Sequence, residues 1–476
     1  MASELILAID QGTHSTRAIV FTTRGSMVAL ARKPVTLQRH SRTEIEQSAD
    51  EILQSMFDVI EDVLQRPVVK QGRILSAGLA TQRSSVLAWE RGTGTALSPV
   101  LSWQDRRVEE TLHSLASHEA DIRNITGLHL SPHYGAGKLQ WLLSQQPGIF
   151  DACENHSLRM GPLASYLLHH LVKGGPELVD HANASRTLLW DLQTRDWNDS
   201  LLALFGIPRE VLPDCQPTCS DYGLTTIGSI PLTAVNGDQT AALYAQGKPS
   251  MDTIRVNIGT GAFVLMPVND PATRPDGLLA GISRSDGQGA SYYIEGTVNG
   301  AAAALKWAKQ QFDITGLEEK LPAWIETVTE PPLFLNTIGG LGAPWWKQGP
   351  EPGFPNGTPQ TPAAMVAVVE SIVFLVQANI TLMRDVNHDV KDIQLSGGLS
   401  KLDGLCKKLA SLSGLPVYRP VQIEATARGI AWQAAGCPED WPASGPGETF
   451  EPVEDAALAA RYQQFTELLK SSLFAD

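Results

Sequence analysis

The sequence predicts a two-domain α/β protein, and three observations carry that expectation. Its 476 residues are more than one hydrophobic core usually serves, since single cores stop growing at roughly 250–300 residues. A βββαβ pattern opens the chain and recurs after residue 250. Three apolar strands, spread over both halves, each run into a turn of glycine and hydroxyl residues.

The first strand, LILAID, ends at Asp10, and TRAIVFT and SMVALARKPV follow it, the last after the turn Thr23-Arg24-Gly25-Ser26. Strand and turn alternate here as in an antiparallel meander. The stretch SADEILQSMFDVIEDVLQR sets Ile52, Met56, Val59, Ile60 and Val63 at helical spacing, and ILSAGLAT reads as the next strand. In the second half the order is DTIRVNIGTG, AFVLMPV, the exposed turn SDGQG, ASYYIEG and the helix-forming AAAALKWAKQQF. The helix AMVAVVESIVFLVQANITLMRDV then precedes the strand DIQLSGG, and GIAWQAAG closes the pattern. A repeated unit of this kind marks a duplicated domain. The boundary falls near Gly247-Lys248-Pro249, giving domains over 1–248 and 249–440 and a C-terminal loop and helix over 441–476. Residues 349–362 are Pro/Gly-rich and read as a surface loop, and 441–453 as a loop before the terminal helix.

Composition narrows the function classes. With 43% hydrophobic and 18% charged residues the chain is ordinary globular material. Its 51 acidic against 37 basic residues, net charge −14, argue against a nucleic-acid or anionic-membrane surface, where basic patches are needed. MASELILAID lacks a basic leader, and no run approaches the ~20 apolar residues that span a bilayer. Five cysteines suit a reducing compartment, so the expected location is cytoplasmic. Cys215 and Cys219 in CQPTC lack the second Cys/His pair that a four-ligand structural zinc requires.

Between the first two strands stand Asp10, Gln11, Gly12, Thr13, His14, Ser15, Thr16 and Arg17. A hairpin of this composition turns backbone N–H and side-chain O–H groups into an anion cradle, to which Arg17 adds a cation. Asp10 would repel a bare phosphate; a divalent metal between the two removes the conflict, as Mg²⁺ commonly does. The same residues could instead only satisfy turn N–H groups. Gly259, Thr260 and Gly261 in NIGTGAFVLM, and Gly397 and Gly398 in QLSGGLS, repeat the arrangement, which favours a nucleotide cleft between two domains. GAGKL at 135–139 is not a P-loop, because Pro132 and Leu139 occupy its required Gly and Ser/Thr positions. No GxGxxG follows a strand either.

In PLTAVNGDQTAALYAQG, Asp238 opens a helix, where the macrodipole favours a carboxylate. That suits a general base acting on a substrate hydroxyl and equally suits a simple helix cap. ATQRSSVLAW and LSWQDRR supply Gln82, Arg83, Trp103, Gln104 and Asp105. Forked donors, amides and ring faces grip a polyhydroxylated molecule well; alternatively Trp89 and Trp103 are core. Arg106 and Arg107 read as a solvated helix start.

Taken in order, DQGTHSTRAI, TQR, SWQDRR, NASRT, GDQ, GTGAF, GLGAPWW and SGG resemble the motifs of the FGGY carbohydrate kinases, with the glycerol kinases the nearest branch. The resemblance spans residue 10 to about residue 436. It implies two actin-like (ribonuclease H-like) α/β domains with an interdomain cleft, closing on ATP·Mg²⁺ and a small polyol or sugar, with a homodimer or homotetramer as the assembly. It implies that Asp10 lies by the metal, that Thr13, His14 and Ser15 lie by the phosphates, and that Arg17 lies near the transferring group. Thr260, Gly261, Lys306 and Gly398 would line the nucleotide. Arg83, Ser84, Trp103, His133, Gln239 and Phe263 would line the acceptor, and Asp238 would be the base.

Two acceptor positions depart from glycerol kinases: Ser84 stands where a Glu is usual, and His133 where a Tyr is usual. His14 replaces a Thr of the phosphate turn, and Lys306 replaces a nucleotide-side Gln. The kinase class survives these changes, while a bulkier or differently hydroxylated acceptor, a ketose or another polyol, becomes an alternative to glycerol. An ATP-driven switch of the actin or chaperone kind is the rival class, but it has no use for Arg83, Trp103 and Asp238-Gln239.

Overall fold

A computed structural model describes residues 3–421, 424–443 and 445–473. The chain divides into two compact units. Unit 1 comprises Met1–Pro249, Ala280–Tyr292 and Ile423–Ser444; unit 2 comprises Ser250–Leu279, Tyr293–Gln422 and Gly445–Asp476.

The central sheet of unit 1 has five strands in the order Leu232–Gly237, Arg73–Thr81, Glu4–Gln11, Ser15–Thr22, Met27–Pro34. The last three form the antiparallel meander, and the first two run parallel to Glu4–Gln11. Residues 5–9 are apolar without interruption because both faces of their strand are covered, the pattern of a central strand. Leu5, Leu7 and Ile9 join the core with Ile52, Met56, Val59 and Ile60 of the helix Ala49–Gln65. Ser48 caps that helix by accepting a hydrogen bond from the Glu51 N–H at 3.2 Å.

A helix from late in the chain, Ala425–Ala434, packs on Glu4–Gln11 and Arg73–Thr81 and also on the short helix Asp238–Ala242. Its Gly429 permits this approach: a Cβ there would lie 1.8 Å from the Ala241 carbonyl oxygen. A second, smaller sheet runs Gln38–Arg39, Ile45–Gln47, Val100–Leu101, Val86–Glu90, Leu158–Pro162. Its strands are two to five residues long, too short for periodicity to reveal all of them.

The seven-stranded sheet runs Leu279–Ser285, Ala290–Val298, Ala262–Val268, Thr253–Ile258, Asp392–Ser396, Val417–Arg419, Glu448–Phe450; all but its outer stretch Ala280–Tyr292, which is grouped with unit 1, belongs to unit 2. From Ala290–Val298 to Val417–Arg419 this order repeats that of unit 1: three meander strands, then two strands parallel to the first. The duplication legible in the sequence is therefore real, with two additions that reading misses. Leu279–Ser285 is an extra strand beside the meander, and Glu448–Phe450 pairs antiparallel with Val417–Arg419 inside a segment expected to be loop.

The helix Thr361–Val386 corrects another expectation, since it is long and apolar enough to cross a membrane. Most of it is buried inside the protein, and buried Glu370 at its middle pairs with Lys408 and Arg461, each at 2.8 Å. That is the setting of a core helix.

Candidate active site

In unit 1, Asp10 is the last residue but one of the first strand, and the main chain reverses after Gln11 through a tight turn in which the Gly12 N–H donates to the Ser15 carbonyl at 3.0 Å. Thr13 sits on this turn, His14 is exposed and Ser15 is buried. The Thr13 hydroxyl accepts from Trp103 Nε1 at 3.0 Å, and Gln47 Nε2 donates to the Thr13 carbonyl at 2.9 Å. Gln47 Oε1 in turn accepts from Gln82 Nε2 at 2.9 Å. The phosphate-type turn and the Trp103 loop are thus parts of one hydrogen-bonded assembly.

Asp10 is almost fully buried, and its carboxyl is pushed up to about 7. Burial is the main cause; Arg17 opposes it, and the charges of Asp238 and Glu424 add to it. Arg17 lies 3.4 Å from Asp10 and also pairs with Glu424. A buried carboxyl that feels the charges of two further carboxylates against one guanidinium is short of positive charge. A hard divalent cation with oxygen ligands such as Mg²⁺ supplies it, so the residues present fit that ion. Among the described residues no group of three His, Cys, Asp or Glu side chains could cage a metal by itself, so a cation here would take its remaining ligands from water and phosphate.

Asp238 begins the helix Asp238–Ala242, as its sequence position implies. Its Oδ1 accepts from the Gln239 N–H at 2.7 Å and lies 3.9 Å from Arg83 Nε. Arg83 also donates to Gln239 Oε1, which closes a cluster of base, cation and amide. Gly237 makes room for it, since a Cβ there would stand 2.5 Å from Arg83 Cγ and Cδ. Burial raises the Asp238 pKa, with Arg83, backbone N–H groups and Arg186 opposing. A carboxylate so placed is a stronger base than a free aspartate.

The acceptor-side residues gather beside this cluster. Trp103 and His133 meet edge to face with ring centroids 5.6 Å apart, and His133 meets Tyr134 at 5.0 Å. Burial, together with Arg186, Lys138 and Arg83, holds the His133 pKa well below its ordinary value. The ring is therefore neutral at pH 7 and can both donate and accept. Ser84 is buried in a left-handed conformation, φ 65°, and its hydroxyl has no hydrogen-bond partner among the described residues.

Several members of the site escape sequence reasoning. Lys138, noted only for failing a P-loop pattern, is fully buried and donates 2.9 Å hydrogen bonds to the carbonyls of Ser84, Ser102 and His133. It ties three acceptor-side segments to one ammonium. Arg186, inside the NASRT motif, lies over the Tyr134 ring at 5.2 Å and acts electrostatically on Asp238 and His133. Glu424 carries no sequence signal at all. Arg107 corrects an expectation: Arg106 is exposed, but Arg107 is buried against Asp105 at 2.8 Å and Glu46 at 2.6 Å. Asp105 accepts from the Ile45 N–H at 2.7 Å, so these ion pairs anchor the Trp103 loop to the small sheet. Trp89 is core, whereas Trp103 is half-buried.

In unit 2, Gly259, Thr260 and Gly261 form the turn between Thr253–Ile258 and Ala262–Val268. The Gly259 and Thr260 carbonyls accept from the first N–H groups of the helix Ala302–Gln311, at 3.0 to 3.2 Å. Lys306 is exposed on that helix, and Phe263 is half-buried on Ala262–Val268. Gly397, at φ 95°, and Gly398 follow the strand Asp392–Ser396, and a Cβ on Gly398 would meet nothing within 4 Å. Such an open glycine turn admits close approach of a ligand to the main chain.

The family model for the N-terminal domain of the FGGY family of carbohydrate kinases matches residues 5–243, and that for the C-terminal domain matches 255–436. The glycerol kinase of Rhodopirellula baltica is 33% identical over 481 residues, covering 97% of this chain and 89% of that protein. The glycerol kinase of Bordetella parapertussis is 34% identical and covers 98% of each. Among solved structures, Plasmodium falciparum glycerol kinase with ADP is 22% identical with a TM-score of 0.88, covering 99% of both chains. The xylulose kinase of Rhodospirillum rubrum is 20% identical with a TM-score of 0.87, covering 99% of this chain and 98% of that one. These two share the fold.

Proposed function

The chain belongs to the FGGY family of carbohydrate kinases, and from that membership we propose that Asp238 is its base for transferring the terminal phosphoryl of ATP to a terminal hydroxyl of a small polyol or sugar. ATP with Mg²⁺ is the donor. One electrostatic contact supports the assignment of the site: the charge on Asp238 is felt at Asp10. Phosphoryl transfer needs those two groups together, one at the attacking oxygen and one at the cation that rides on the phosphates.

Asp238 receives the hydrogen bond of the acceptor hydroxyl and takes its proton late, because the transition state is loose. Positioning and electrostatics then supply most of the rate. Arg83 and Gln239, bonded to each other, orient the acceptor's remaining hydroxyls, and Trp103 and neutral His133 bound its carbon face. The Ser84 hydroxyl, without a hydrogen-bond partner among the described residues, bonds the acceptor. Thr13, His14 and Ser15 offer the turn's N–H and O–H groups to the phosphates, and Arg17 adds charge. Mg²⁺ held through Asp10 would neutralise charge on the phosphate oxygens. Thr260, Gly261, Lys306 and Gly398 of unit 2 hold the nucleotide, and Phe263 completes the acceptor contacts.

Coupled ADP release measured over a panel of polyols and ketoses, with the product phosphate located by phosphorus NMR, tests the reading. Release well above the water background for one acceptor class is expected. If every hydroxyl compound leaves ADP release at that background, the reading fails.

A further inference from the structure

We propose that Gln82 is a positioning residue that fixes the direction of a hydrogen-bond relay from Trp103 through the Thr13 hydroxyl, so that nucleotide and acceptor each tighten the binding of the other. The relay rests on the reading of Thr13 as a phosphate contact and of Trp103 as an acceptor wall, and it adds that the two contacts share one oxygen atom.

The polarity of the network follows from groups that cannot change roles: a main-chain carbonyl only accepts, and an indole N–H only donates. Gln47 Nε2 donates to the carbonyls of Thr13 at 2.9 Å and Thr36 at 3.4 Å, and Gln11 Nε2 donates to the Gly12 carbonyl at 2.8 Å. The amide oxygens of both glutamines are therefore left for Gln82, whose Nε2 donates to them at 2.9 Å and 3.2 Å. Gln82 Oε1 then faces two hydroxyls, Ser85 at 3.1 Å and Thr13 at 3.5 Å. At the other end Trp103 donates twice, its Nε1 to Thr13 Oγ1 at 3.0 Å and its main-chain N–H to Ser85 Oγ at 3.0 Å. Each hydroxyl thus accepts from Trp103 and sends its only proton toward Gln82.

The two hydroxyls differ in how firmly that proton is held. Ser85 is buried and makes a bond of ordinary length, whereas the Thr13 bond to Gln82 lies at the outer limit of a hydrogen bond. Thr13 can therefore turn its proton to a phosphate oxygen, a charged acceptor that makes a bond roughly twice as strong as a neutral one. It does so without releasing Trp103, because the indole occupies a lone pair and not the proton. Donation to an anion makes Oγ1 a better acceptor in turn, so the indole is gripped harder when phosphate is bound. By linkage, an acceptor molecule that holds the indole in place strengthens nucleotide binding by the same factor.

Gln82 supplies the fixed frame for this exchange. Gln11, Gln47, Gln82 and Ser85 are buried, while Thr13 and Trp103 at the two ends are only half-buried. Through Gln11 and Gln47 the Gln82 amide fastens two carbonyls of the phosphate turn, and through Ser85 it fastens the main chain of Trp103. One side chain sets both the place of the Thr13 hydroxyl and the outlet for its proton.

The test uses the full chain labelled with ¹⁵N at tryptophan, the Trp103 indole resonance being the one lost in Trp103→Phe. The probe is Mg²⁺ with adenylyl imidodiphosphate, which does not transfer its terminal phosphoryl. In wild type the Trp103 indole proton should move downfield along the calorimetric isotherm of the probe. Saturating probe should also lower the Kd of the acceptor chosen by the polyol and ketose panel about fivefold or more. Thr13→Val should abolish both responses and Thr13→Ser should keep them, which separates the oxygen from the bulk of the residue. Gln82→Met, similar in shape but without the amide, should still bind the probe while the coupling drops below about twofold. Gln82→Glu places a second oxygen against those of Gln11 and Gln47 unless it carries a proton, so its coupling should fall relative to wild type as pH rises; this variant decides the matter if Gln82→Met does not fold. A Trp103 resonance that stays still while calorimetry shows the probe bound would overturn the relay. Wild-type coupling retained in Gln82→Met, or in Gln82→Glu at every pH, would overturn the role of Gln82. Failure of the underlying reading shows differently, as no heat of probe binding in wild type, and it would take the relay with it. The indole response needs no acceptor, so it still decides the relay if the panel yields none.

Discussion

Asp10→Asn separates the electrostatic account of the phosphate turn from a purely structural one. Folding raises the Asp10 pKa from 3.8 to about 7, mainly through burial. The native protein therefore holds this proton more tightly than the unfolded chain does. The resulting stabilisation is complete below the unfolded value and is lost as pH rises through the native one. A shift of about three units, at ~1.4 kcal/mol each, is on the order of 4 kcal/mol at the acid limit. From about pH 5 to about pH 8, about 2.5 kcal/mol of it disappears. An asparagine has no proton to lose, so the difference between wild type and Asp10→Asn isolates the term from all other titrations. Urea denaturation of the nucleotide-free proteins across that range should show wild type losing about 2.5 kcal/mol relative to the variant. At the alkaline end Mg²⁺ with ATP should restore wild type far more than the variant, because the cation replaces the proton as partner of the carboxylate. Parallel profiles, agreeing within about 0.5 kcal/mol, would refute the account, since Asp10 would then be solvated like any surface carboxylate.

Asp238→Asn should lower kcat by ~10²- to 10⁴-fold while nucleotide affinity, read by calorimetry, stays near wild type; near-normal turnover would remove Asp238 from the role of base. Lys138→Met leaves three buried carbonyls without their donor. It should cost about 3 kcal/mol or more in urea denaturation and raise the acceptor KM more than it changes ATP affinity. Gly429→Ala drives a methyl toward the Ala241 carbonyl, 1.8 Å from an ideal Cβ. A stability loss of about 1–3 kcal/mol and a drop in kcat with the acceptor KM little changed are expected, because the displaced element carries the proposed base.

What the sequence discloses and what it hides divide along physical lines. The meander strands and the helix Ala49–Gln65 are legible because each buries a long, regular apolar face, so periodicity records their packing. The helical start at Asp238 is legible for a related reason, a polar triplet between two apolar runs. Short edge strands such as Glu448–Phe450 are held by main-chain pairing that any residue can supply, and they leave no pattern. The support of the site is hidden more deeply. Glu424 reaches Arg17 across 407 positions, and Lys138 bonds carbonyls whose residue types are irrelevant to the contact. Local composition can announce a group that meets a ligand, because ligand chemistry restricts its type. It cannot announce a group whose task is to neutralise or hold another one distant in the chain. Arg107 shows the consequence: beside Arg106 in sequence it reads as a second solvated cation, yet its carboxylate partners take it into the interior. Replacing it by lysine would keep the charge and lose the fork that spans Asp105 and Glu46, so the loop bearing Trp103, and not the charge balance, is what such a substitution would disturb.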